Sequence, residues 1–284
     1  MQLASNYHDR TWWRSRIIHR ILKPLHKPSQ NRGYNILEAD WDNLIVLDAC
    51  RADLFEETVD VSSYDKYTRQ SSPVSATPDW VQHFFSKKEF PDIVYVTGNP
   101  QISKYAASSF HALENVWETS FSETDGSVPP QCVSKAALDA HKKYPNKRLV
   151  IHFMQPHQPF LGDLTDLNQN PWHAYRDGLV SKKEVWKGYQ ENLELALSKV
   201  NTLISQLNGK TVVTSDHGNL IGERLSPIPI RGYGHPPGIN HPALREVPWA
   251  VINGDRRKIT PGRITHSDVV QTDVTKRLQQ LGYK

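Results

Sequence analysis

Short apolar runs separated by longer mixed stretches set the first pattern along this chain. Asn43–Leu47, Asp92–Val96, Arg148–Met154, Thr211–Thr214 and Val247–Ile252 are each largely apolar, as strands buried on both faces of a parallel sheet are. Between them the apolar positions switch to helical spacing. Val133–Lys143 reads as one helix, and Lys182–Leu207 as a long one with Leu193, Leu197, Val200 and Ile204 on a single face. Ser267–Leu281 closes the chain as a third, its stripe of Val269, Val270, Val274, Leu278 and Leu281 ending before Gly282. Strands alternating with helices predict an α/β fold, a three-layer αβα sandwich around a mainly parallel central sheet. Residues 161–181 and 222–246 are loop-rich, and in such folds long loops beside strand ends carry the sites.

Residues 8–27 follow a different rule. Trp13, Ile17, Ile21 and Leu25 recur every four positions, with Trp12, Ile18 and Leu22 beside them. Arg10, Arg14, Arg16, Arg20 and Lys23 fill the other positions, and Pro24 is expected to end the helix. A basic amphipathic helix of this kind has two readings. It can adsorb to an anionic membrane surface as a peripheral contact, or dock on the body of its own protein. Residues 28–35 read as a linker, so the chain divides into an N-terminal helix and linker, 1–35, and a main domain, 36–284.

Composition narrows the function classes. The 284 residues are 38% hydrophobic and 23% charged, which supports an ordinary packed core. A net charge of +4 with histidines neutral is too mild to argue for nucleic acid. Two cysteines, Cys50 and Cys132, do not make a disulfide framework. No apolar run approaches the ~18–20 residues that span a bilayer, and the N-terminus lacks the pattern of a signal peptide. These features together predict a cytoplasmic location at the inner membrane surface.

Three features at the ends of expected strands carry the chemistry. Asp48 follows Asn43–Leu47, with Arg51 three residues on. Asp216 and His217 follow Thr211–Thr214, and Gly218 lets the backbone turn tightly beside them. His157 follows Arg148–Met154. A carboxylate at the end of a buried strand is costly unless paired or bound to a metal. Parallel strands bring Asp48, Asp216, His217 and His157 to one edge of the sheet, a reasonable divalent-cation site. Each residue alone also has a plain structural use: Asp as a helix cap, His as a core residue, Arg51 as a carboxylate's partner.

Taken together, these segments resemble the alkaline phosphatase, sulfatase and lipoteichoic acid synthase superfamily. Asn43–Arg51 looks like its first strand and metal aspartate, and Ser215–Gly218 is similar to its Asp-His-Gly motif. Gln155–Phe160 resembles the His-x-Pro-aromatic element, and Gly234-His235 followed by Arg245–Trp249 the late histidine and Val-Pro strand. Ser267–Gly282 matches the closing helix in spacing, so the resemblance spans about residues 40–282 in the family's order.

The resemblance implies a metal-dependent hydrolase or transferase of phosphate or sulfate esters, and the basic N-terminal helix points to a lipid- or glycan-linked ester. It implies a nucleophile that ligates the metal and opens a helix, which is Thr77 at an N-cap before Pro78, with Ser75, Ser72 and Ser71 in reserve. The implied ligands are Asp48, Thr77, Asp216 and His217, around one divalent ion of Mn, Zn, Mg or Ca. His157, His235 and Arg51 would bind the ester, the two histidines with a catalytic role, and His235 could instead hold a second ion. The sequence departs from the family in two places. The sulfatase pattern for formylglycine is broken by Val74 and Ser75, which favours phosphate esters with a sulfatase as the alternative. Phe153 stands where two-zinc phosphatases have an aspartate. The rival from another class is a non-catalytic member that binds an anion or a partner at a membrane surface. The sequence says nothing of the oligomeric state.

Overall fold

All five apolar runs are strands. The strands are β1 (Asn43–Asp48), β2 (Lys66–Ser71), β3 (Phe90–Thr97), β4 (Phe110–Asn115), β5 (Arg148–Pro156), β6 (Thr211–Thr214), β7 (Leu220–Arg224), β8 (Arg231–Gly234) and β9 (Glu246–Ile252). Seven of them form one sheet in the order β2-β9-β6-β1-β5-β3-β4, and β7 pairs with β8 in a separate hairpin. The computed structural model describes residues 10–25, 34–162, 170–264 and 271–280. The linker expected over 28–35 lies outside these up to residue 33, as do 163–169 and the ends of the closing helix at 267–270 and 281.

β6, β1, β5, β3 and β4 are mutually parallel, while β9 runs antiparallel to both β6 and β2. The fifth apolar run therefore points against the others and brings its first residue, not its last, to the edge that holds Asp48 and Asp216. Two edge strands went unanticipated. β2 is polar and largely exposed, and β4 has one neighbour, so neither carries the continuous apolar signature of a central strand.

Strand side chains alternate between two cores, as the two-residue period requires. Ile45, Leu47, Val94, Val96, Leu149 and Ile151 join the larger core. Covering that face are α2 (Ala52–Thr58), α5 (Pro130–Lys143), α6 (Lys182–Ile204) and α8 (Gln271–Gln280), the last through Val274 and Leu278. Leu44, Val46, Ile93, Tyr95 and Val150 join the other core, under α3 (Thr77–Phe84) and α4 (Gln101–Ala106). Helices on both faces make this the three-layer α/β arrangement.

The N-terminal helix α1 (Arg10–Ile17) runs on through a π turn, Ile18–Leu22, into Lys23–Leu25. Pro24 lies within this helical stretch and does not stop it at that residue; Lys23 N–H bonds to the Ile18 carbonyl in the wider pattern of the π turn. Ile18 and Leu22 are buried against Leu220, Leu225, Ile239 and Leu244. Two such side chains contribute roughly 1.5–3 kcal/mol each, enough to dock the helix on its own protein.

Candidate active site

β1 delivers Asp48 to the sheet edge completely buried. The chain then turns sharply, with Ala49 at a left-handed φ of 59°, a conformation costing an L-residue ~1–2 kcal/mol. Its amide N–H donates to Asp216 Oδ1 at 2.9 Å, and its carbonyl accepts from the Tyr189 hydroxyl. The strained turn thus clips β1 to the Asp216 segment. The β1–β5 register shifts between Leu47 and Asp48, and the His157 amide donates to the Asp48 carbonyl at 3.0 Å. That irregularity swings His157 over the end of β1.

Gly218 is required by close approach. A Cβ there would sit 2.2 Å from the Ala243 carbonyl oxygen and 2.9 Å from Arg51 Cγ. Ala243 belongs to α7 (Pro242–Arg245), whose Leu244 carbonyl accepts from the Gly218 amide at 2.8 Å.

Thr77 departs from its expected place by one position. Ala76 is the N-cap and Thr77 the first helical residue, with the Trp80 amide closing onto the Ala76 carbonyl. The Thr77 hydroxyl makes no cap to its own helix. It donates instead to Asp216 Oδ2 at 2.7 Å, with His217 Nε2 at 3.1 Å. That rules against the plain capping use of this threonine. The reserve serines do other work. Ser72 Oγ donates to the Asp216 backbone carbonyl, Ser75 Oγ donates to the Pro236 carbonyl at 3.0 Å, and Ser71 is exposed at the end of β2.

Asp48, Asp216 and His217 offer ligand atoms that all lie within 4.8 Å of one another. The tautomer of His217 follows from its partner: Nδ1–H donates to the Gly218 carbonyl at 2.8 Å, so Nε2 presents a lone pair. Thr77 has a single hydroxyl hydrogen, and it goes to Asp216. Asp216 Oδ1 is engaged by the amides of Ala49 and His217, leaving Oδ2 toward the centre. Asp48 Oδ2 accepts from Asn99 Nδ2 at 2.6 Å, while Asp48 Oδ1 is buried with no hydrogen-bond partner among the described residues.

Four electron-rich atoms therefore converge: Asp48 Oδ1, Asp216 Oδ2, His217 Nε2 and Thr77 Oγ1. The measured edges are 2.7, 3.1, 3.4 and 3.9 Å. A tetrahedron with ~2.1 Å bonds has edges of about 3.4 Å, so the set fits one divalent cation of the Zn or Mn kind. The electrostatics agree. Burial, then the charge of Asp216, holds the Asp48 carboxyl well above the usual carboxylate range, against the bond from Asn99. Asp216 is also penalised by burial, but His217, His152, the Ala49 amide and the Thr77 hydroxyl hold it below its ordinary value. Phe153, buried in the core, gives no ligand for a second ion at its position.

His157 and His235 stand beside this cluster. Their Nε2 atoms are 3.0 Å apart, and the His235 ring lies 4.5 Å from that of His217. His157 Nδ1–H donates to the Gln158 carbonyl, so a single hydrogen lies between the two Nε2 atoms when the pair is neutral. Burial lowers the His157 pKa to about 4, and burial with the charges of His217 and His157 takes His235 well below its usual value. Arg51 is committed elsewhere. It forks onto Asp53 at 2.8 and 2.6 Å, and its Nη1 bonds Glu223 at 2.7 Å and the Asn219 carbonyl at 3.0 Å. Its guanidinium braces the Asp48 turn against the β7 segment, with Asp53 and Glu223 as its carboxylate partners.

Three contributors escaped the sequence reading. Asn99 lies two residues past β3, as Asp216 lies two past β6, so strand-end position could have found it. His152 interrupts an apolar strand; its Nε2 lies 3.7 Å from Asp48 Oδ2, and its Nδ1 faces the Tyr95 hydroxyl at 2.9 Å. Asn192 on α6 donates to the carbonyls of Pro156 and His157, fixing that loop.

No family model and no curated protein matches the sequence. Solved structures do match the fold. One is the C-terminal periplasmic domain of phosphoethanolamine transferase EptC from Campylobacter jejuni, with 15% identity, TM-score 0.50, and 75% of this chain and 78% of that chain covered. A second is the soluble domain of lipooligosaccharide phosphoethanolamine transferase A from Neisseria meningitidis, with 12% identity, TM-score 0.51 and coverage of 75% and 76%. A third, a protein in the alkaline phosphatase superfamily from Vibrio parahaemolyticus, has 11% identity, TM-score 0.41 and coverage of 85% and 66%. The chain has the alkaline phosphatase-like fold. The Campylobacter neighbour is a periplasmic domain, which runs against the expectation of a cytoplasmic location. Among the described residues no helix is long and apolar enough to cross a membrane.

Proposed function

We propose that residues 36–284 form a catalytic domain that moves the phosphoryl group of a phosphate ester to Thr77 and then to water or a second alcohol. One observation carries the reading: the Thr77 hydroxyl leaves its own helix uncapped and enters the Asp48–Asp216–His217 cluster, 2.7 Å from Asp216 Oδ2. A divalent cation held by Asp48, Thr77, Asp216 and His217 would offset the paired carboxylates, lower the pKa of the hydroxyl and draw charge from the ester oxygens. Asp216 Oδ2 holds the Thr77 hydrogen and so fixes where the Oγ1 lone pairs point. The start of α3 sets that oxygen at a helix N-terminus, where negative charge is favoured.

His157 and His235 supply the proton. An anionic ester beside them favours the protonated form of the pair. As the Thr77 oxygen–phosphorus bond forms, its hydroxyl proton passes to Asp216 Oδ2, and as the ester bond breaks the histidine pair protonates the leaving alcohol. In the second half the pair takes the proton of the incoming water or alcohol, and Asp216 returns its proton to the departing Thr77 oxygen. Asn192 keeps His157 aimed by holding its loop. Group transfer agrees with the phosphoethanolamine transferases among the fold's neighbours. Formylglycine chemistry is disfavoured: Cys50 lies in the larger core, and Ser71, which opens the sulfatase-like run, stands exposed at the end of β2.

The test is turnover of nitrophenyl phosphate mono- and diesters with Mn²⁺ or Zn²⁺ and with chelator. Metal-dependent turnover should fall on the order of 10⁴-fold or more in Thr77→Ala. A quenched reaction should show a phosphoryl mass increment on the peptide containing Thr77. Undiminished turnover in Thr77→Ala would sink the assignment, and no metal-dependent turnover at all would leave a binding module.

A further inference from the structure

The stretch from Arg10 to Leu25 carries a surface that the ester chemistry does not use. Five large apolar side chains stand exposed among the described residues, and three of them are here: Trp13 at 37%, Ile21 at 45% and Leu25 at 56%. The helix docks through Ile18 and Leu22, with Ile17 partly buried beside them, while Trp13, Ile21 and Leu25 keep this exposure. They share one stripe with Ile17, four residues apart. The wider winding of the π turn at Ile18–Leu22 keeps residues so spaced near one line.

The charge is just as concentrated. Residues 10–27 hold four arginines and two lysines and no acidic residue, more positive charge than the net +4 of the whole chain. The rest of the molecule is therefore slightly acidic. Arg20 and Lys23 stand exposed beside the stripe, and Arg16 lies half-buried over the Trp12 ring. The helix also has a fixed place relative to the site. A Cβ on Gly238 would meet the Lys23 stem at 2.9 Å, so the helix rests on the loop that carries His235 three residues earlier.

We infer that this helix seats the protein on an anionic lipid bilayer, with Trp13, Ile21 and Leu25 in the interfacial layer and Arg16, Arg20 and Lys23 on headgroup phosphates. Exposed Trp and aliphatic residues beside a basic strip match the depth profile and charge of such a surface. A second copy of the chain matches poorly, because pairing the same face would set like charges against each other. The inference goes beyond the proposed phosphoryl transfer and needs no turnover, so either can fail alone.

The test is sedimentation of the full chain with phosphatidylcholine vesicles, with and without phosphatidylglycerol, at low and high salt. Binding should require phosphatidylglycerol and weaken with salt. The combined variant Trp13→Ser, Ile21→Ser, Leu25→Ser should lose roughly tenfold or more of the partition. Arg16→Gln, Arg20→Gln, Lys23→Gln together should lose roughly a hundredfold. Both variants alter surface-exposed or half-buried positions, and unchanged melting would show that the fold is intact. Absence of binding to phosphatidylglycerol vesicles at low salt would overturn the inference, as would serine variants that bind like the parent. Self-association through the stripe without vesicle binding would overturn it in favour of a second copy.

Discussion

Asn99 decides which oxygen of Asp48 faces the centre, and replacing it should weaken metal binding without abolishing it. Its Nδ2 donates to Asp48 Oδ2 at 2.6 Å, which turns Oδ1 toward His217 Nε2, 3.9 Å away. A hydrogen bond to a buried charge is worth ~1.5–3 kcal/mol. Outer partners of metal ligands typically carry roughly 10–100-fold of affinity, or ~1.4–2.7 kcal/mol. The two estimates agree, so Asn99→Ala should raise the dissociation constant for Zn²⁺ or Mn²⁺ by about 10–100-fold. Asn99 Oδ1 also accepts from the Gln101 amide at 2.9 Å, so the alanine variant loses stability at the start of α4 as well. Asn99→Asp separates the two effects: it keeps that acceptor but faces Asp48 with a third carboxylate. It should bind metal no better than the alanine variant while melting closer to the parent at low pH, where the added carboxyl is protonated. Titration calorimetry of metal into chelator-stripped protein reads the affinity, and thermal melting reads the stability. Affinities of both variants within about twofold of the parent would refute the role of this bond. Retained affinity in Asp48→Ala would refute the site itself.

Two further outcomes follow from the packing around the site. Gly218→Ala should destabilise by ~2–4 kcal/mol, combining overpacking against the Ala243 carbonyl with strain on the Gly218–Leu244 bond; denaturant unfolding within ~0.5 kcal/mol of the parent would show that α7 yields freely. Arg51→Met should cost ~3 kcal/mol at neutral pH, the low end for breaking a buried pair because the Asp53 side chain is 38% exposed. Although burial opposes it, Arg51 holds Asp53 and Glu223 below their ordinary pKa values, so its contribution is present above about pH 4–5 and fades as pH falls through the depressed values. A gap between parent and variant that widens on acidification would contradict the sign.

The sequence reveals this site unevenly, and burial explains where. Asp48 ends β1, and Asp216 and His217 lie two and three residues past β6, strands whose every residue is buried, so charge stands out against an apolar background. Thr77 was legible because Pro78 and Asp79 mark a helix start, though the pattern could not show that its hydroxyl turns inward rather than capping. Arg51 shows the opposite limit. The resemblance implied an ester contact for it, while its plain reading was a carboxylate's partner; its ion pairs are with Asp53 of α2 and Glu223 of β7, the latter a pairing that only the tertiary fold creates. β2 stayed hidden because an edge strand needs no apolar alternation, and β9's direction because parallel and antiparallel strands share one composition.

The centre is held by neighbours that do not take part in it. Asn99 fixes one carboxylate, the Ala49 and His217 amides fix the other, and the Gly218 carbonyl fixes the imidazole. Each of these constraints leaves a lone pair pointing inward and none supplies a donor to meet it. A protein gains nothing for its own stability from burying Asp48 beside the charge of Asp216, which raises the proton affinity of Asp48. The penalty is offset when a proton or a cation enters, so affinity for positive charge and instability without it have a common origin in the same four atoms. That is why Thr77 matters more than its single hydrogen bond suggests: in the proposed reaction it is the member of the four that takes the phosphoryl group.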